Sequence, residues 1–97
     1  MTIEKSSNCK HNIIIYTVAD CIACEYVMDT IHKLCKNKDI EIICISLVGN
    51  LEKAKKANGI KVVPTVVFNI NKTEVARING SMGISFYENV IDNFEKL

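Results

Sequence analysis

Runs of β-branched residues alternate with helix-periodic segments along most of this 97-residue chain. Residues 13–18 have the composition of a strand buried on both faces. From Cys24 onward the apolar residues recur every three or four positions, which predicts an amphipathic helix that ends at residues 37–39. The same patterns predict strands over 40–45, 62–68 and 74–79, a short helix over 51–58 and a last helix over 84–97. The predicted order is therefore β-α-β-α-β-β-α.

This order of elements constrains the fold. Strands joined through a helix favour parallel pairing and a right-handed crossover, whereas two strands joined by a tight turn must be antiparallel. We therefore expect the α/β class, with a four-stranded mixed sheet and helices packed on it. A chain of this length supplies one hydrophobic core, and we assign residues 13–97 to a single domain. Residues 1–12 are polar and aperiodic, and we interpret them as a flexible N-terminal arm.

Composition and charge disfavour several classes of protein. The formal net charge is only +1, and the basic residues are scattered, which argues against a nucleic-acid-binding surface. Lys53, Lys55 and Lys56 are interpreted as a solvated helix face. The apolar runs are far shorter than the ~20 residues that span a bilayer, and the polar start lacks a secretion signal. We therefore expect a cytoplasmic protein that binds neither membranes nor nucleic acid.

The motif Cys21-Ile22-Ala23-Cys24 lies where the first strand gives way to the first helix. In a reducing cytosol, two closely spaced cysteines are more often catalytic or metal-binding than structural. The unpaired amides and positive dipole of a helix N-terminus favour a thiolate, which is the reactive form of the residue. We therefore expect Cys21 to attack disulfides and Cys24, one turn further in, to resolve the mixed disulfide. The acidic side chains of Asp20 and Glu25 oppose the thiolate and predict only modest activation.

Two other functions remain open for the same cysteines. The first is a metal-binding or metal-delivery module, since small copper chaperones also place two cysteines, separated by two residues, between a strand and a helix. Such chaperones have a different element order and usually a Met two residues before the first cysteine, where this chain has Ala19. The second is a structural module that has lost its chemistry, and the retention of both Cys21 and Cys24 weighs against it.

Two distant motifs together resemble the thioredoxin superfamily. They are Cys21-Ile22-Ala23-Cys24, between a buried strand and a helix, and Val63-Pro64-Thr65 some forty residues later. The likeness covers about residues 12–97 and implies a thioredoxin-like fold. It also implies a cis Pro64 beside the active cysteines, with Val63 offering its backbone to the extended chain of a substrate.

The subfamily is indicated by several smaller features. Tyr16-Thr17 and the short form of the domain are similar to glutaredoxins, although Val18 replaces their basic residue and Gly80-Ser81 replaces their paired glycines. The segments 59–65 and 80–83 are closer to thioredoxins.

Thioredoxin positions are also changed in this chain. Asp20 replaces the Trp before the first cysteine, Ile22-Ala23 replaces Gly-Pro, and Ile15 replaces the buried acid. The whole looks most like the short, glutaredoxin-sized thioredoxins of some archaea and anaerobic bacteria.

The resemblance implies a monomeric dithiol oxidoreductase that reduces protein disulfides and is recharged by a thioredoxin-reductase-like electron donor. Its only redox group is the Cys21–Cys24 disulfide, with no cofactor and no metal. Met82 lies in the loop that the family places near the active cysteines. With Ile22, Ala23 and Val63 it is expected to form an apolar rim that suits a protein partner.

The other cysteines receive separate predictions. Cys35 falls on the apolar stripe of the first helix and Cys44 in an apolar strand, so both are expected in the core. Cys9 lies in the polar arm and is expected to be an exposed thiol. His11 and His32 have no spacing to a cysteine pair that would suggest a zinc site.

Overall fold

The computed structural model describes residues 9–97. Its seven elements follow the predicted order, which confirms the α/β class. They are β1 (His11–Thr17), α1 (Ile22–Leu34), β2 (Ile40–Ser46), α2 (Leu51–Ala57), β3 (Thr65–Ile70), β4 (Thr73–Asn79) and α3 (Ile84–Glu95). Most of the predicted arm, residues 1–8, lies outside the described residues. β1 begins at His11, two residues before the predicted strand start.

The sheet is four-stranded and mixed, in the order β2-β1-β3-β4. β1 and β2 are parallel, while β3 runs antiparallel to both β1 and β4. The register pairs Thr17 with Ser46, Tyr16 with Thr65, and Thr65 with Asn79. The C-terminal ends of β1, β2 and β4 therefore meet the start of β3 at one edge of the sheet, which we call the upper edge.

The core lies on the face of the sheet that α1 and α3 cover. Ile13 pairs with Phe68 and Ile15 with Val66, and partners in register point to the same face. All four side chains are fully buried. The helices contribute the rest of this cluster, which includes Val27 and Ile31 of α1 and Tyr87, Ile91 and Phe94 of α3.

Of the two cysteines predicted in the core, one is buried in the structure and the other is exposed. Cys35, at the C-cap of α1, is buried as expected. Cys44 is exposed, so its predicted burial is wrong. The reason is that, among residues 9–97, β2 lies at the margin of the sheet with β1 as its one neighbour. Cys44 pairs with the buried Ile15, but none of the strands in that range covers its outer side.

The short helix α2 begins as predicted at Asn50, whose side-chain Oδ1 accepts the Lys53 N–H at 3.0 Å. This capping bond satisfies one of the amides that a helix N-terminus leaves unpaired. None of the residues of α2 is buried. Within residues 9–97, none of the three helices has the length and apolar character needed to cross a bilayer.

Candidate active site

Cys21 and Cys24 form a disulfide at the start of α1, with their Cα atoms 5.2 Å apart. Cys21 is the N-cap of the helix and has an extended backbone. Its Sγ accepts the backbone N–H of Cys24 at 3.1 Å. The sulfur therefore takes the position that a Ser or Asp oxygen occupies in an ordinary N-cap, where the helix dipole favours negative charge.

The two sulfurs of this pair differ in access. Cys21 is partly exposed, whereas Cys24 has a relative exposure of 0%. The difference follows from the helix, because Cys24 belongs to the apolar stripe that packs on the sheet, along with Val27 and Ile31. An incoming disulfide can therefore reach Cys21 before Cys24.

Asp20 and Ile22 flank Cys21 and are both exposed. Asp20 has a φ of 55°, in the left-handed region that few residues other than glycine, asparagine and aspartate adopt. This turn carries the chain from the end of β1 into α1. Ile22, the first residue of α1, is 84% exposed, and Ala23 beside it is exposed as well.

The Val63–Pro64 peptide bond is cis, as the resemblance implied. Pro64 is buried and precedes Thr65, which pairs with Tyr16 near the end of β1. Two hydrogen bonds hold this loop: the Thr65 hydroxyl donates to the Val62 carbonyl at 2.6 Å, and the Gly80 N–H donates to the Pro64 carbonyl at 2.8 Å. Neither backbone group of Val63 has a hydrogen-bond partner among residues 9–97.

A buried tyrosine holds the loop that follows β4. The backbone N–H of Met82 donates to the hydroxyl of Tyr87, at 3.0 Å. Tyr87 is fully enclosed between α3 and the sheet, and burial raises the pKa of its phenol. The Met82 side chain is left 38% exposed. Tyr87 falls within the helix predicted over 84–97, and a tyrosine at a buried position is the one sign in the sequence that its hydroxyl has a partner.

The topology brings most of the predicted site residues to the upper edge. Cys21 follows β1, Val63 and Pro64 precede β3, and Met82 follows β4. Cys9 lies at the opposite edge, before the start of β1. It is half-buried rather than exposed, and its thiol donates to the His11 carbonyl at 3.2 Å.

A metal site of three or more ligands is not present in residues 9–97, since no group of His, Cys, Asp and Glu is placed to hold an ion. Cys21 and Cys24 would supply two thiolates to a metal, whereas a structural zinc site takes four ligands. No finding favours the metal-binding alternative.

A disulfide at a helix N-terminus and a cis-proline at the same edge of this mixed sheet define the thioredoxin fold. Sequence comparison adds nothing to this, because no family model and no curated protein matches the chain. Solved structures do match. A point mutant of a thioredoxin from Halobacterium salinarum superimposes with a TM-score of 0.78 and 18% identity, covering 95% of this chain and 80% of the other.

Two further thioredoxins give similar values. Thioredoxin f2 of Chlamydomonas reinhardtii has a TM-score of 0.72 and 20% identity over 87% of this chain and 78% of its own. Thioredoxin 1 of Thermosipho africanus has a TM-score of 0.71 and 25% identity over 88% of this chain and 94% of its own. The resemblance predicted from the two motifs is thus confirmed at the level of the fold, and the disulfide supports thiol–disulfide exchange as the general class of chemistry.

Proposed function

We propose that this protein is a thiol–disulfide oxidoreductase that reduces protein disulfides, with Cys21 as the nucleophile and Cys24 as the resolving cysteine. The observation that carries the proposal is the asymmetry of the disulfide. The Cys21 sulfur is partly exposed and accepts a helix-terminal amide, while the Cys24 sulfur is enclosed in the core. This difference in access supports Cys21 as the attacking cysteine and Cys24 as the resolving one.

The reaction runs in two exchanges that together transfer two electrons. In the reduced protein the Cys21 thiolate attacks one sulfur of a substrate disulfide, and the other substrate sulfur leaves as a thiolate that takes up a proton. Cys24 then loses its proton and attacks the Cys21 sulfur. This step breaks the mixed disulfide, releases the second substrate thiol and leaves Cys21 and Cys24 oxidised.

The surroundings of the pair support a protein substrate. The unpaired N–H and carbonyl of Val63 can bind an extended chain by strand-like hydrogen bonds, beside the cis-proline Pro64. The exposed side chains of Ile22, Ala23 and Met82 offer an apolar rim for it.

The reducing role sets the conditions under which the protein acts. The oxidised pair must be recharged, and we propose an electron donor of the thioredoxin-reductase type. The protein acts as a monomer in this proposal and needs a reducing compartment, which the cytoplasm provides. It uses no redox group besides its own disulfide.

Trapping variants test the roles of the two cysteines. With insulin as the disulfide substrate and dithiothreitol as the electron source, Cys21→Ser should abolish catalysed reduction. Cys24→Ser, reduced beforehand and freed of dithiothreitol before insulin is added, should instead accumulate a covalent mixed disulfide with insulin through Cys21, visible by mass spectrometry. Cys44→Ser, which removes an exposed thiol elsewhere, should keep full activity. Wild-type activity in Cys21→Ser, or trapping through Cys44, would overturn the assignment.

A further inference from the structure

Four lysines are concentrated in one short stretch of the chain, residues 51–61, which contains α2 and the loop after it. We call this the lysine surface, and it consists of Lys53, Lys55, Lys56 and Lys61. The stretch holds one acid, Glu52, so its net charge is +3 in a chain whose total is +1. The rest of the chain therefore has a net charge of −2, and the net positive charge comes from this stretch.

Most of these lysines are free to act on a partner. Lys55 is bound to Glu52, with Nζ 3.3 Å from Oε2. Lys53, Lys56 and Lys61 are exposed, and none forms an ion pair with any residue from 9 to 97. The electric fields of unpaired surface cations add together, whereas the two charges of an ion pair largely cancel each other's field.

Three of the four lysines line a groove. It has a volume of about 560 Å³ and is bordered by Glu52, Lys55, Lys56, Gly59, Ile60 and Lys61. Arg77 of β4 fixes one lining residue of the groove, because its guanidinium Nη1 donates to the Gly59 carbonyl at 2.8 Å. The Arg77 charge is itself matched by two hydrogen bonds to Glu74.

The lysine surface borders the candidate active site. α2 starts just after the end of β2, at the upper edge, and its seven residues extend only about 10 Å from there. The loop then returns to that edge, so Lys61 stands two residues from Val63. About 10 Å is also the screening length at ~0.1 M salt, so a lysine within this distance of the upper edge acts on a chain bound there.

We propose that the lysine surface is a docking site for proteins that carry acidic side chains beside the disulfide that Cys21 attacks. This inference rests on the proposed function and names the class of its partners. The charges next to the cysteines have the opposite sign on the α1 side, where Asp20 and Glu25 are exposed. The two signs together orient an acidic partner toward α2. Two features favour a protein over a nucleic acid as the partner. The acidic Glu52 lies within the lysine surface, and the surface adjoins a disulfide whose proposed substrates are proteins.

Charged peptide probes test the proposal. Three synthetic peptides carry one cysteine as a mixed disulfide with 5-thio-2-nitrobenzoate, next to three glutamates, three glutamines or three lysines. Release of the nitrothiolate is followed by its absorbance after mixing with the reduced protein, and Cys21→Ser provides the blank. We expect the glutamate peptide to react at least about tenfold faster than the lysine peptide at ~10 mM salt. The ratio should fall to about twofold or less at ~1 M salt.

Two charge-matched variants locate the effect. Lys53→Glu/Lys56→Glu/Lys61→Glu should abolish or reverse the preference. Lys36→Glu/Lys72→Glu/Lys96→Glu changes the net charge equally, at exposed lysines near the opposite edge of the sheet, and should keep it. Circular dichroism shows whether each variant is folded, and the glutamine peptide gives a rate independent of side-chain charge.

The outcomes separate the inference from the proposed function. If the glutamine peptide does not react above the blank, the proposed exchange chemistry fails. If it reacts but the glutamate peptide has no advantage, or both triple variants lose the preference equally, the docking inference is overturned. It is also overturned if a single-stranded oligonucleotide binds the lysine surface while the peptides show no preference.

Discussion

The Cys21 sulfur is subject to two opposing electrostatic influences. The start of α1 supplies the Cys24 amide and the positive end of the helix dipole, worth about 0.3–1 kcal/mol for an adjacent negative charge. The carboxylate of Asp20, the preceding residue, acts in the other direction by a similar amount. Each influence changes the stability of the Cys21 thiolate only slightly, so a single substitution can shift the balance between them.

Replacing Asp20 with asparagine should make Cys21 more reactive. Asparagine tolerates the left-handed backbone that Asp20 adopts, so the substitution removes the charge and keeps the turn. We expect the reduced protein to be alkylated at Cys21 by iodoacetamide about two to five times faster at pH 7, since about 0.3–1 kcal/mol of thiolate stabilisation is regained. Asp92→Asn removes an acid near the opposite edge and should leave the rate unchanged. A slower or equal rate in Asp20→Asn would contradict this account.

Burial of Cys35 predicts a pH dependence of stability. Burial raises the pKa of this thiol from 9.0 to about 11, so the fold favours the uncharged form. The unfolded chain ionises first as pH rises, and the folded state then binds more protons than the unfolded state. The contribution of Cys35 is therefore complete below about pH 9 and is lost between pH 9 and 11. It amounts to at most about 2–3 kcal/mol.

Urea unfolding of the oxidised protein at pH 8 and pH 10.5 measures this loss. Cys35→Ala should lower stability at both pH values because it leaves a cavity, but its free energy of unfolding should fall less between them. Cys9 and Cys44 are present in both proteins, so their ionisation cancels in the comparison. Parallel pH dependence in the two proteins would show that Cys35 does not carry the effect.

At the scale of single elements, the sequence predicts the type and order of the helices and strands but not the position of each strand in the sheet. The order and type of all seven elements follow from hydrophobic period and turn residues, which are local properties. Whether a strand is central or marginal depends on the whole topology, and this is why Cys44 was wrongly placed in the core. The start of β1 was also missed, because polar His11 and Asn12 pair with Ile70 and Asn69 of β3 and tertiary pairing overrides their low strand propensity.

The contact between α3 and the loop after β4 gives a prediction about substrate binding. Tyr87→Phe removes the hydroxyl that accepts the Met82 N–H and leaves a loop amide without its partner. We expect KM for insulin to rise about threefold while kcat stays within about twofold, since a weakened loop loses about 0.5–1 kcal/mol of substrate contact. Reduction of a small disulfide should be unaffected.

Tyr26→Phe provides the matched control for this prediction. It removes a hydroxyl from α1 that has no hydrogen-bond partner among residues 9–97, and its kinetics should equal those of the wild type. Thermal unfolding of both variants shows whether a change in KM comes from the loop alone or from a loss of overall stability. An equal rise of KM in the two variants, or a fall of kcat alone in Tyr87→Phe, would show that Tyr87 does not position the loop.

At the scale of the whole molecule, the fold gathers at one edge features that are far apart in sequence. The cysteine motif could be predicted because it is a short pattern with its own physical signature, whereas the cis form of Pro64 was implied by the resemblance to thioredoxins. The bond between Tyr87 and Met82 could not, because a helix-periodic tyrosine indicates burial but not its partner. Three members of the lysine surface, Lys53, Lys55 and Lys56, were interpreted as a solvated helix face, because the sequence pattern does not show that the loop after α2 returns to the upper edge. A total charge near zero concealed the lysine surface.

A redox titration of the full chain against dithiothreitol, with alkylation and mass mapping of each cysteine, tests the proposed role as a reductant. We expect one reversible disulfide, between Cys21 and Cys24, with a potential near or below about −250 mV, as for reductants of the thioredoxin kind. Cys35 should stay a free thiol throughout. A pair that forms no disulfide, that is isolated with its thiolates blocked by metal, or that has a potential well above this value would contradict the proposed role as a reductant.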